Sequence, residues 1–139
     1  MDFTPSPRAA ELTEAARTFI ADEIAPIEAQ LHRRQAQSRS DGRLAENWRV
    51  PEELEELRRK ARAQGLWNLF LPSGHEGPYA RRFGTAGGTG LTNLDYALIA
   101  EATGWSFLAP YVFNCNAPDS GNAEVLLRYG TPGAAGPVA

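Results

Sequence analysis

With one cysteine, the chain cannot form an internal disulfide. No apolar run approaches the roughly 20 residues that a bilayer-spanning helix needs. The amino terminus, MDFTPSPRAAELTEAARTF, lacks the basic-then-apolar order of a signal peptide. A reducing, cytoplasmic setting is therefore expected, with mitochondrial or peroxisomal import as the eukaryotic alternative. An excess of one charge is also missing: Lys and Arg number 14 against 17 Asp and Glu, a formal charge of -3. That balance gives no general attraction for nucleic acid or an anionic membrane surface.

The signs of built-in chemistry are equally sparse. His32 lies beside two arginines, and His75 stands next to Glu76 without a partner motif, so neither suggests a metal or a base. The GTAGGTG run ending at Gly90 has neither dinucleotide spacing nor the lysine of a P-loop, and no convincing strand precedes it. Cys115 has no histidine in a recognised relation, and Ser120 in DSG lacks the G-x-S-x-G setting of an elbow nucleophile. The sequence therefore offers no catalytic, cofactor-binding or metal-ligating constellation of its own.

What it does contain is helical periodicity. A chain of 139 residues suits one domain and can bury about two-thirds of its unfolded surface. A first helix is expected from Ser6 with Pro7 in its first turn, carrying the stripe Leu12, Ala16, Phe19, Ile20, Ile24, Ile27 and Leu31. Pro26 interrupts the stripe without changing its phase, which points to a kink. Residues 33 to 48 are polar and read as an exposed loop. A second helix starts at Pro51, where four glutamates precede a basic cluster in the order that suits the helix dipole, with Leu54, Leu57 and Ala61 as the buried side and Gly65 as terminator. The apolar segment Leu66, Trp67, Leu69, Phe70 and Leu71 then forms an exit before Pro72 that can fill this domain's own core. Residues 72 to 90 form a long irregular loop.

The densest pattern lies from Leu91 to Gly130. Thr92 can cap a helix by accepting from the backbone of Asp95, and Leu91 can staple onto Tyr96. The spacing of Leu94, Ala97, Leu98, Glu101, Ala102 and Trp105 predicts the core-facing side, with a left-handed Gly104 at the end. Between Pro110 and Pro118 the chain places Tyr111, Phe113, Asn114, Cys115 and Asn116 close together, just after Phe107. They are either ordinary core and turn residues or the wall of a pocket. Asp119 or Ser120 can cap a last short helix through Val125, Leu126 and Tyr129, closed by Gly130. With no convincing strand, the fold class is all-α, a helical bundle with long irregular loops.

The succession DYALIAEATG, an aromatic proline-interrupted turn and APDSGNAEVLLRYGT resembles the amino-terminal helical domain of the flavin-dependent acyl-CoA dehydrogenases. ARTFIADEIAPIEAQLH resembles that domain's first helix, and VPEELEELRRKARAQGLWNLFLP its second helix with the extended exit. The resemblance implies a helical domain over residues 1–131, followed at 132–139 by an atypical tail, GAAGPVA after Thr131 and Pro132, where the family continues into a polar helix. It implies that the middle β-domain and the carboxyl-terminal helical domain, which hold the catalytic carboxylate and most of the FAD contacts, are not encoded in these residues. A truncated, frame-shifted or split-gene product is then expected.

The full family enzyme removes a proton from the α-carbon and a hydride from the β-carbon of an acyl-CoA and passes electrons to an electron-transfer acceptor. By position, the resemblance places Val112, Cys115, Asn116 and Asp119 at the far end of the acyl pocket. The polar members of that set imply a substrate carrying a hydroxyl or other polar group. Its partners would be the missing domains or further copies in a homo-oligomer. The alternative is a non-catalytic all-α interaction module that presents Trp67, Phe70, Trp105 and Tyr111 to another protein.

Overall fold

Ser6 begins the first helix as its sequence predicts: its side chain accepts from the Ala9 N–H at 3.2 Å, and Pro7 occupies the first turn. The structure, a computed structural model, describes residues 3–42, 50–71 and 89–130. Among them are α1 (Pro7–Phe19), α2 (Ala25–Ser40), α3 (Glu52–Ala63), α4 (Asn93–Thr103), the single turn α5 (Ala109–Val112) and α6 (Asp119–Tyr129), with no strand among the described residues. The all-α expectation holds. Trp48, the loop carrying His75, Glu76, Gly84, Gly87 and Gly88, and the tail from Thr131 lie outside the described residues.

Pro26 is accommodated rather than allowed to break the chain. A π-helical turn, Ile20–Ile24, joins α1 to α2, and the Ala25 N–H reaches the Ile20 carbonyl. Widening the turn just before a residue that lacks a donor keeps Ile20 and Ile24 buried on the inner face. The expected loop after Arg33 is instead helix up to Ser40. Its Arg, Gln and Ala residues are good helix formers. Arg34 ties it to Glu53 of α3 at 2.8 Å, and Ser40 closes it by donating to the Gln37 carbonyl at 2.7 Å. Polarity there marks a solvated helix, not the absence of one.

In α3, Leu54, Leu57 and Ala61 are buried as their spacing predicts. Gly65 takes φ +74°, and beyond it the Leu66 N–H returns to the Ala61 carbonyl at 2.9 Å while Gly65 N–H bonds Arg62. Such a left-handed closure requires glycine and turns Leu66 inward. The exit fills this domain's own core: Leu66, Leu69 and Leu71 are buried, while Trp67 and Phe70 are half-buried. Phe19 meets Phe113 there with ring centroids 5.6 Å apart.

The largest departure from the sequence pattern concerns α4, which packs chiefly on α1. Its inner face is Asp95, Ile99, Ala102 and Thr103, of which only Ala102 belongs to the expected stripe. Leu94, Ala97, Glu101 and Trp105 are exposed, Trp105 by 85%. The helix has two apolar faces, and a polar anchor decides between them. Asp95 completes a capping box with Thr92, accepting from Thr92 N–H at 3.0 Å, while its other oxygen accepts from the Ser6 N–H at 2.9 Å. One carboxylate thus joins the amino termini of α1 and α4, where both helix dipoles favour negative charge.

Two smaller corrections follow. Gly104 is right-handed, φ -64°, and continues the helical turn by bonding the Ala100 carbonyl at 3.0 Å. Neither Asp119 nor Ser120 caps α6: its leading residue is Pro118, and no side-chain cap bond forms.

The Ser6 and Thr92 bonds hold the Asp95 carboxyl down to about 2, below its ordinary 3.8. A depressed carboxyl contributes stability above pH 3.8 and loses it as pH falls toward 2. Asp95→Asn should therefore lower the melting temperature at pH 5 to 7, with the gap to the wild type closing in the acid range; denaturation series across pH read this directly. Ile99, 1% exposed, should cost about 2–5 kcal/mol on conversion to Ala. Trp105→Ser on the opposite face should stay within about 0.5 kcal/mol by the same measurement.

Candidate functional site

The segment from Ser106 to Asp119 is positioned from three sides. On the first, Glu28 of α2 accepts from Ser106 Oγ and from the Phe107 N–H, both at 2.8 Å. Ser106 Oγ in turn accepts from the Leu108 and Ala109 N–H groups at 3.1 Å, which starts α5. Glu28 thus reaches 78 residues along the chain to fix where the proline-interrupted segment begins.

On the second side stands a stack of cations and rings. The Arg58 guanidinium of α3 lies 4.4 Å from the Tyr111 ring centroid and 5.0 Å from that of Trp67, with Arg62 on Trp67 at 5.2 Å. Tyr111 donates its hydroxyl to Glu55 at 2.7 Å. Partial burial, then the bond to Glu55, pushes the Tyr111 phenol up. The third side is Asn68, in the exit from α3. Its N–H donates to the Phe113 carbonyl at 3.1 Å, and its side chain meets that of Asn114 at 2.6 Å.

The four residues expected at the acyl pocket differ in setting. Val112 is fully buried in the core beside Phe113. Cys115 is half-buried and hydrogen-bonded to Tyr96. Burial pushes the thiol up against the opposing effect of that bond, so it keeps its proton at neutral pH and is a poor nucleophile. Burial likewise raises the Tyr96 phenol. Asn116 is half-buried, and its Oδ1 has no hydrogen-bond partner among the described residues. Asp119 is exposed in the first turn of α6. The structure therefore brings Cys115 and Asn116 to one turn behind Val112, while Asp119 follows the cis Ala117–Pro118 bond on the surface.

A groove of about 600 Å³ between the π turn and α3 is lined by Asp22, Glu23, Glu52, Glu56 and Lys60 among others, and by none of the four. Its mostly acidic wall does not suit the phosphates of a coenzyme. A flavin pyrophosphate finds no better fit at the helix starts. Those of α1 and α4 are answered by Asp95, that of α3 carries Glu52, Glu53 and Glu55, and that of α6 carries Asp119. Among the described residues there is also no group of three or more metal-ligating side chains.

Sequence reasoning missed Glu28, Arg58 and Asn68 as the parts that hold this segment. Asn68 offered a signal: it is the one amide inside the apolar run from Leu66 to Leu71. Glu28 and Arg58 gave none, since each is one charge among several on its helix.

No family model matches the chain. Individual relatives do. It is 42% identical over 126 residues to Acyl-CoA dehydrogenase family member 10 of Mus musculus, covering 91% of this chain and 11% of that protein. With Acyl-CoA dehydrogenase family member 11 of Mus musculus it shares 43% identity over 129 residues, 93% of this chain and 14% of that one. A solved structure described as an acyl-CoA dehydrogenase from Mycobacterium abscessus superposes with a TM-score of 0.79 at 48% identity, over 94% of this chain and 30% of its own. The chain thus spans between about a tenth and a seventh of the length of these two curated relatives. Sequence and fold agree over nearly all of its residues: the chain belongs to the acyl-CoA dehydrogenase family and corresponds to that family's amino-terminal helical domain.

Proposed function

We propose that this chain supplies the amino-terminal helical part of an FAD-dependent acyl-CoA dehydrogenase, which oxidises the α,β-bond of an acyl-CoA thioester. Residues 1–131 form that domain, and the β-domain and second helical domain that complete the enzyme lie outside this sequence. The observation that carries the reading is the coverage: 94% of the chain matches a solved relative of which it makes up 30%. The chemistry belongs to the remainder. FAD and the α-proton base are held there, and this chain on its own is inactive.

Within that division of labour, the turn from Val112 to Asp119 closes the far end of the acyl pocket. Val112 fixes the backbone from within the core, and Cys115, Asn116 and Asp119 present polar groups toward the chain end of the substrate. An amide oxygen left without a partner, as at Asn116, favours a ligand group that donates a hydrogen bond over plain hydrocarbon. The other partners are an electron-transfer acceptor and further subunits of a homo-oligomer, in the cytoplasm. No described helix is long and apolar enough to cross a membrane.

A second reading is a non-catalytic interaction module built on Trp67, Phe70, Trp105 and Tyr111. It rests on Trp105 alone, because the other three are half-buried.

Purified alone, the chain should be colourless and should not reduce an acceptor dye with an acyl-CoA. Grafted in place of the matching segment of the Mycobacterium abscessus protein, it should give a yellow protein that does. Stoichiometric flavin on the isolated chain would overturn the assignment of FAD to the other domains. A graft that folds and holds flavin yet leaves the dye oxidised would overturn the role of this segment.

A further inference from the structure

Two asparagines in the described structure have positive φ, and they are hydrogen-bonded to each other. Asn68 and Asn114 both sit at φ +56°, 46 residues apart, with Asn114 Nδ2 donating to Asn68 Oδ1 at 2.6 Å. Asparagine is the side chain that best tolerates the left-handed region, so neither position strains its backbone severely. The orientation of the pair is fixed from outside. Arg58 Nη2 makes a long bond of 3.4 Å to Asn114 Oδ1, and a guanidinium can only donate. The oxygen of Asn114 must therefore face Arg58 and its NH₂ must face Asn68. Beside this contact the two backbones are also joined, Asn68 N–H to the Phe113 carbonyl at 3.1 Å, while Cys115 N–H turns back to the Pro110 carbonyl of its own segment at 2.8 Å.

We propose that Asn68 and Asn114 form a latch that sets the position of the Cys115–Asp119 turn. Both are then positioning residues for the substrate-facing end of the site, an assignment that rests on the function proposed above. The exit from α3 is held by the buried Leu66, Leu69 and Leu71, so it is the fixed jaw. The turn after Phe113 is the held part: Cys115 and Asn116 are only half-buried, and α6 beyond them has no buried residue. Apart from the contact of Cys115 with Tyr96 and the core edge, the turn takes its position from the polar bonds at its root.

The Cys115 thiol, one residue from the latch and slow to react while buried, reports on it through its rate of alkylation by iodoacetamide at alkaline pH in the intact chain. Asn68→Asp keeps an acceptor in place and tolerates the same backbone, so alkylation should stay within about twofold of the wild type. Asn114→Asp lets the Asn68 amide turn over and donate its NH₂ to the new carboxylate, so alkylation should not rise there either. Asn68→Gly and Asn114→Gly, which keep the left-handed backbone but lose the bond, should each raise alkylation on the order of tenfold, and the double variant should be no faster than either.

Melting measured in parallel separates a latch from general weakening: the gain in alkylation should exceed what the fall in global stability accounts for. Asp variants as fast as the Gly variants, multiplied effects in the double Gly variant, or alkylation that tracks melting would overturn the latch. No acyl-CoA enters the measurement, so the latch and the substrate-facing assignment can fail separately.

Discussion

The carboxylate of Asp95 is the constraint on which the arrangement depends. It accepts from Ser6 N–H at the start of α1 and from Thr92 N–H and Oγ at the start of α4, so two helices far apart in sequence share one anion. Each helix start leaves unpaired donors, and a single carboxylate satisfies donors of both. The bond length and direction then fix the rotation of α4 on α1. With Asp95 turned inward, Ile99, Ala102 and Thr103 follow it into the core, and Leu94 and Trp105 are carried to the surface.

That consequence explains both what the sequence disclosed and what it concealed. Local signals were legible: the Ser6 cap with Pro7, the Thr92 box, the narrow stripe of α3 and its glycine closure each depend on residues within a turn or two. The rotation of α4 was not, because the helix carries apolar residues on two sides and the deciding contact comes from Ser6, 89 residues away. The polar half of α2 was hidden for a different reason. It buries nothing, so periodicity has nothing to mark, and its helix rests on propensity, the Arg34–Glu53 pair and its closing bonds. Of the candidate site, the aromatic and amide cluster was visible, whereas its supports, Glu28, Arg58 and Asn68, act across long separations that one sequence does not register.

The two faces of α4 also bear on the role proposed for this chain. A helix apolar on both sides is at home inside a larger structure. Here one side is covered by α1, and the other shows Leu94 and Trp105, with Phe107 exposed just beyond the helix. The matched relatives are several times longer than this chain. Under the function proposed above, that exposed face is where the other domains would lie.

The most direct measurement is hydroxyl-radical footprinting of the intact chain read residue by residue along α4. The account predicts strong modification of Leu94, Trp105 and Phe107 with protection of Ile99. Protection of Leu94 and Trp105 together with modification of Ile99 would show that the helix is turned the other way and that Asp95 does not set its rotation.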